Sequence, residues 1–519
     1  MSAAGFLTRV ALGPPRLAAA VRASWLFLLL GVCATGKLNS QCPDGTPPPC
    51  GGRRAAAASP LNSVAVLYFE NATGDSADAY LADGLTEEII TRLSSVDRLT
   101  VRSRYLVRRF RGTALEDPAS VGRALGVTYL VSGSLRRAGG RLRVNADLIR
   151  AAGGAEVWGR AFEQQGGDVF AIQAAVAADV ASGIVGRLLP AERQAIAERP
   201  TRSSAAYDAY LLGRFYFGKR TAPDLVRAAG YFQQAIAADS GFARAWSGLA
   251  DSYVLFLPSE YDVPGIDPDS TLARAERAAR RALALAPDLG EAYASLGEIL
   301  EYRSRWAEAR AAFERAVALS PQYPTAHLWY GYDLEAWNRW DDAVREFEAA
   351  RDLDPSSVIN VVSLGSAYDG ADRPADAEAV FAQARALAPD HMLVRLFGAL
   401  HDLYRGDDDA LAGDYAALLR LAGTDSAAAA AWAARLRDPA RREAALRESA
   451  AQPGQPWWSV PVIERLDGDD SAIAFLARVT PDPKRNRVGA VIYCGCVTPK
   501  LRADPRYRAA LARLGFPGD

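Results

Sequence analysis

Residues 290–321 read GEAYASLGEILEYRSRWAEARAAFERAVALSP, residues 324–355 read PTAHLWYGYDLEAWNRWDDAVREFEAARDLDP, and residues 358–389 read VINVVSLGSAYDGADRPADAEAVFAQARALAP. At a spacing of 34 they share five columns. These are Pro287, Pro321, Pro355 and Pro389; Gly297, Gly331 and Gly365; Ala309, Ala343 and Ala377; Phe313, Phe347 and Phe381; and Ala316, Ala350 and Ala384. Each unit is expected to be two antiparallel helices, A and B. Gly331 on A and Ala343 on B carry no bulk, so their backbones are expected to come close. Phe347 then fills the space between neighbouring units, and Ala350 admits the next helix A. Pro355 cannot continue a helix and ends B. One pair cannot bury its own apolar face, so the units must stack.

These columns resemble the tetratricopeptide repeat, a helix-turn-helix unit of 34 residues. Upstream, Trp246, Leu249, Ala250 and Tyr253 match helix A of that pattern, and Ala275, Ala282 and Pro287 mark its partner. An insertion from Leu255 to Ser270, with Pro258, Pro264 and Pro268, separates them. Ala228, Phe232 and Ala235 give an earlier B helix, with Ser240 in the proline column, and Tyr210, Leu212 and Gly213 suggest its A helix. Beyond Pro389 the columns fade through Leu393–Leu421, as capping repeats do. Five repeats and a degenerate sixth are expected over 203–423. Such an array builds a groove, which favours an adaptor over a catalyst.

Extending the register places Asp251, Glu298, Glu301, Tyr302, Glu335 and Asp369 on the groove face of the A helices. Acids converge there and no lysine does. A basic, extended protein segment is the complement; the plainer reading is that these acids are simply solvated.

The chain has 519 residues, half of them hydrophobic, and a formal net charge of −1. That charge removes the electrostatic case for nucleic acid. Arginine far outnumbers lysine (Lys37, Lys219, Lys484 and Lys500 alone), which fits a GC-rich bacterial genome. Residues 1–36 carry Arg9, Arg16 and Arg22 before an apolar run from Ala23 to Gly36, an export signal or a signal anchor that would associate with a membrane. The run is short for a span of about 20 residues. Cys33 as a lipid acceptor ranks third, because Val32 fits a lipobox poorly. Residues 37–61 read as a Pro/Gly/Ala-rich linker in which Cys42 and Cys50 could close a disulfide loop after export. Cys494 and Cys496 receive no role. Residues 424–519 are expected to form a helical cap, closed by a helix carrying Tyr507, Leu511 and Leu514.

Residues 62–190 change character. Val64–Phe69 reads as a buried strand running into the polar loop Glu70–Asp75, and Leu81, Leu85, Ile89, Ile90 and Leu93 recur at helical spacing. Leu99–Arg102 is a strand, and Asp117 with Pro118 opens a helix that ends near Gly126. Thr128–Leu135 and Arg141–Ile149 alternate around Gly139-Gly140, a hairpin, followed by a strand at Glu156–Phe162 and a helix at Val169–Leu188. The segments VAVLYFENATGD, YLADGLTEEIITRLSSVDRLTVRSR, LGVTYLVSGSLRRAGGRLRVNADLI, EVWGRAFE and DVFAIQ resemble the bacterial TolB-like N-terminal domain. In that family tetratricopeptide repeats commonly follow, and a kinase, nucleotide cyclase or winged helix often precedes. The resemblance implies a regulatory or envelope-associated interaction module with no catalytic residues. The fold expected is therefore an α/β N-terminal domain plus an all-α tetratricopeptide superhelix, an α-solenoid.

No catalytic constellation, metal set or cofactor motif emerges. Glu87 and Glu88 are expected at the start of a helix, where acids suit the macrodipole. No phosphate-binding glycine loop is present. The three histidines, His327, His391 and His401, all fall in the helical array, and His327 takes the position of Trp246, a packing role. The loop Asn71–Asp75 follows a strand end, where ligands bind in α/β folds, but its residues are ordinary turn formers. A non-enzymatic scaffold in the bacterial envelope is the leading expectation. The alternative is a regulatory sensor whose α/β domain binds a small ligand and signals through the repeats.

Overall fold

The structure is a computed structural model that describes residues 60–75, 78–112, 117–138, 140–165, 169–257, 263–451, 456–479 and 495–517. The export segment 1–36, the Cys42–Cys50 pair, part of the Leu255–Ser270 insertion and Cys494 lie outside the described residues. Cys496 is disulfide-bonded to a partner that also lies outside them.

The first part of the described chain is built on a sheet. Strand β1 (Ser63–Val66) is buried along its whole length, and it pairs in parallel with β3 (Thr100–Val101) on one side and β4 (Tyr129–Ala138) on the other. The short β2 (Glu70–Asn71) rejoins β4 at Ser134 and Leu135. β4, β5 (Arg141–Arg150) and β6 (Glu156–Gln165) make an antiparallel meander, giving the order β3-β1-β4-β5-β6. In β5, Leu142, Val144, Ala146 and Leu148 are buried while Arg141, Arg143 and Asn145 are exposed. That alternation belongs to a sheet covered on one face. The cover is α1 (Ala79–Ser94) and α4 (Val169–Val185), whose apolar residues join those of the strands in one core. Smaller helices α2 (Arg104–Val107), α3 (Pro118–Leu125) and α5 (Pro190–Ala197) complete this part. The loop Asn71–Asp75 closes on itself. Asn71 Nδ2 donates to the Asp75 carbonyl at 2.7 Å and Asn71 Oδ1 accepts from Thr73 N at 3.1 Å.

Helices then stack in antiparallel pairs. They are α6/α7 (Ser204–Phe217, Ala222–Ala238), α8/α9 (Ala243–Leu255, Pro268–Leu285) and α10/α11 (Gly290–Tyr302, Trp306–Leu319). After them come α12/α13 (Pro324–Ala336, Trp340–Leu353), α14/α15 (Val358–Gly370, Pro374–Leu387) and α16/α17 (Met392–Arg405, Asp408–Leu421). Two further pairs, α18/α19 (Ser426–Arg437, Pro439–Ala450) and α20/α21 (Pro456–Asp467, Asp469–Leu476), precede the short α22 (Pro499–Ala503) and α23 (Pro505–Arg513). The fold is thus a small mixed sheet domain followed by an all-α solenoid.

The glycine column works differently from the expected backbone approach. A Cβ on Gly331 would lie 2.5 Å from the Phe347 ring, and one on Gly297 would lie 2.5 Å from Phe313. Each glycine is a hollow for the phenyl ring of its own repeat. From there the ring also reaches the next A helix: Phe313 stacks with Tyr330 at 6.2 Å, and Phe381 meets His401 at 4.9 Å.

A further column sits at the A-to-B turn. Ser304, Asn338 and Asp372 have φ of 55°, 59° and 59°, and Gly406 follows in register at 75°. These left-handed residues let the chain reverse: the next amide, at Arg305, Arg339 or Arg373, donates 2.8 Å to the carbonyl of Leu300, Leu334 or Tyr368. A polar side chain tolerates this region where a β-branched one does not.

Gly331→Ala is expected to destabilise the chain by about 1–3 kcal/mol by forcing Phe347 out of its rotamer. Denaturant unfolding measures it, and a change near zero would mean the hollow is not filled.

Candidate functional site: the enclosed face of the A helices

The A helices α8, α10, α12 and α14 carry the acids expected to line the groove, and the chain encloses all of them. Asp251, Glu298, Glu301, Tyr302, Glu335 and Asp369 are each no more than 8% exposed. The solvated reading of these acids is therefore set aside. Asp251 accepts from Ser295 Oγ and, at 3.3 Å, from Tyr323 OH. Burial pushes its carboxyl up to about 6, against the pull of Ser295. Burial raises Glu335 well above the usual carboxylate range, with Arg502 opposing. Asp369 receives His401 Nδ1 on both oxygens, at 2.9 and 2.8 Å.

Two segments provide the cover, from opposite ends of the A helices. The first is α2 of the sheet domain. Ser103 Oγ donates 3.0 Å to the Leu353 carbonyl, and Tyr105 lies 6.4 Å from Tyr323, ring to ring. Tyr105 belongs to the core of the solenoid and not to that of its own domain. The second is the C-terminal stretch 495–517. Gly495 N faces Ser366 Oγ at 3.4 Å, and Arg502 Nη2 donates 2.6 Å to the Gly370 carbonyl. Farther along, Trp306 Nε1 donates 2.8 Å to the Gly515 carbonyl, and its ring stacks on Phe516 at 6.3 Å. Sequence reasoning missed Ser103, Tyr105, Trp340 and Arg502. A lone arginine near a chain end and a tyrosine in a short helix give no periodic signal.

Glu87 and Glu88 lie in the interior of α1, not at its start, and their role is to fasten the two parts of the chain. Glu87 is 3.7 Å from Arg104 and 3.3 Å from Arg214 of α6. Glu88 is 3.2 Å from Arg92 and 3.0 Å from Arg244 of α8. Burial alone would raise Glu87, but Arg104 and Arg214 outweigh it and hold the carboxyl below its ordinary range. Removing one partner from such a buried set leaves an uncompensated charge, which costs about 3–5 kcal/mol.

His327 reproduces the job of Trp246. Trp246 Nε1 donates to the carbonyl of Ser240 at 3.0 Å, and His327 Nε2 meets that of Pro321 at 3.1 Å, in each case six residues back. His391 accepts from Leu393 N at the start of α16. His401 groups with Glu378 and Asp402, donor atoms within 4.8 Å of one another. Asp369 orients His401 as a carboxylate orients a metal-ligating histidine. Guanidinium groups, however, already take the cation's place: Arg405 pairs with Glu378, while Arg385 is 3.5 Å from both Glu378 and Asp402. What this arrangement does is neutralise buried acids. Burial, first, and the neighbouring Asp414 push Asp402 up to about 7 despite Arg385. For His401, burial opposes the charge, but Asp369 outweighs it and raises the imidazole.

Residues 290–323 match the tetratricopeptide repeat family, so the chain carries such repeats. A curated protein of Rhizobium meliloti (strain 1021), "Putative adenylate cyclase 3", is 33% identical over 188 residues, which is 36% of this chain. The match spans about a third of that relative, 32%. Among solved structures, PilF of Pseudomonas aeruginosa is 17% identical with a TM-score of 0.33, over 42% of this chain and 91% of that one. Yeast Tom70 is 17% identical with a TM-score of 0.34, over 60% of this chain and 68% of its own. Among the described residues, no helix is long and apolar enough to cross a membrane.

The raised carboxyls set the sign of a pH effect. Asp251 and Asp402 hold protons in the fold up to about 6 and about 7, whereas an unfolded aspartate loses its proton near about 3.9. The native state therefore binds more protons between those limits, and stability falls as pH rises through the window. Thermal melts are expected to give a higher Tm near about pH 5 than near about pH 8, and Asp402→Asn to flatten the slope. A Tm that climbs with pH would contradict this.

Proposed function

We propose that the chain is a non-enzymatic scaffold of the bacterial cell envelope, in which a TolB-like domain at 62–190 presents a tetratricopeptide array at 203–423 to a protein partner. The segment at 1–36 would deliver it, as export signal or anchor, and 424–519 would cap the array. The observation that carries this reading is the run of carboxylates on four successive A helices: Asp251, Glu298 with Glu301, Glu335 and Asp369. Such a run would complement a basic segment of a partner once the segments that cover it, α2 and 495–517, are displaced. The non-enzymatic part is supported by how the titratable groups are used. Glu87, Glu88 and His401 are each committed to ion pairs that hold the fold together.

Crosslinking with mass spectrometry in the native cell tests both parts. Crosslinks from one other protein are expected to converge on α8, α10, α12 and α14. Crosslinks to other proteins that scatter over the surface would overturn the scaffold. Formation of cyclic AMP from ATP by the purified chain would overturn the non-enzymatic reading, and none is expected.

A further inference from the structure

We propose that the Gly370 carbonyl, the Trp340 ring and the Glu335 carboxyl form a guanidinium site for an arginine carried on an apolar peptide segment. The chain's own Arg502 fills this site until a partner's segment replaces it. This deepens the scaffold reading and rests on it.

The geometry is that of a built site. Arg502 Nη2 donates 2.6 Å to the Gly370 carbonyl at the end of α14, and the guanidinium carbon lies 5.1 Å from the centre of the Trp340 ring. Glu335 faces the same space. A small cavity of about 40 Å³ is lined by Glu335, Trp340, Arg502, Tyr507 and Phe516 among others, and Glu335 Oε1 is buried there with no hydrogen-bond partner. A carbonyl acceptor and an indole face together select a planar, forked cation, and the Glu335 carboxyl beside them offers one more acceptor. An ammonium can meet the carbonyl, but it offers neither the flat face nor the fork.

The rest of the segment shows what a competing peptide needs. Arg502 Nη1 turns back to the carbonyls of Gly495 and Val497, folding the stretch before it into a loop. Gly495 lies so close to the Gly370 backbone that no Cβ fits between them. A small residue ahead of the arginine and an aromatic beyond it, as at Tyr507 and Phe516, are thus part of the recognised pattern. On its other side the segment is tied to the chain: Thr498 N donates 3.0 Å to Glu464 of α20. A tethered occupant has a high effective concentration, so a partner must outcompete it.

The test uses the full chain and a labelled synthetic peptide of residues 495–517. The wild-type chain is expected to bind the peptide poorly. Arg502→Glu, which empties the site, is expected to bind it at least about tenfold tighter. Phe516→Asp provides a second opening, remote from the buried arginine, and circular dichroism checks that each variant stays folded. A peptide with lysine in place of its arginine is expected to lose about tenfold in affinity. If both variants are folded and neither binds the peptide better than wild type, the proposal is overturned. A partner captured equally by wild type and Arg502→Glu overturns the occlusion but leaves the scaffold standing. Peptide binding by Arg502→Glu, with no partner captured by either form, overturns the scaffold but leaves the guanidinium site.

Discussion

Phe313, Phe347 and Phe381 each fill the hollow of a glycine in their own repeat. The ring sets the separation of helix A from helix B, and its far side meets the next A helix, so one side chain fixes both distances. Repetition at constant pitch then builds a solenoid in which every A helix has the same neighbours. The acids on those helices inherit the register. They converge because the rings do not permit the helices to rotate independently.

A solenoid built this way leaves its A-helix face needing cover, and here both flanks of the chain supply it. Tyr105 reaches across from the sheet domain to the array, and Glu87 and Glu88 hold the two together through Arg214 and Arg244. At the other end, Arg502 and Phe516 close over Trp340 and Trp306. Arginine does nearly all of this work. Its charge survives burial and its planar head can stack and donate at once, which suits a chain with only four lysines.

The periodic parts of the architecture were legible because they rest on local rules. The proline and glycine columns located the helix pairs. The alternation in Arg141–Ile149 marked a half-covered strand, and the Asx-type turn at Asn71–Asp75 follows from its composition. Contacts between distant segments were not legible. Glu87 looked like a helix-start acid because nothing near it in sequence announces Arg214. The purpose of the glycine column was misread for a related reason: its partner lies sixteen residues on, across a turn. The left-handed column at Ser304, Asn338 and Asp372 was present in the sequence but hidden, since three different residues satisfy one backbone requirement.

The backbone contact between Gly370 and Gly495 has a consequence for how the protein can vary. Neither position has room for a side chain: one faces the Trp340 ring and the other the facing backbone. A glycine codon becomes an alanine codon by one base change, and at Gly495 the added methyl would land on the partner backbone. The closed arrangement is therefore one point mutation from an altered allele, and inheritance can reset the accessibility of this face without touching the solenoid.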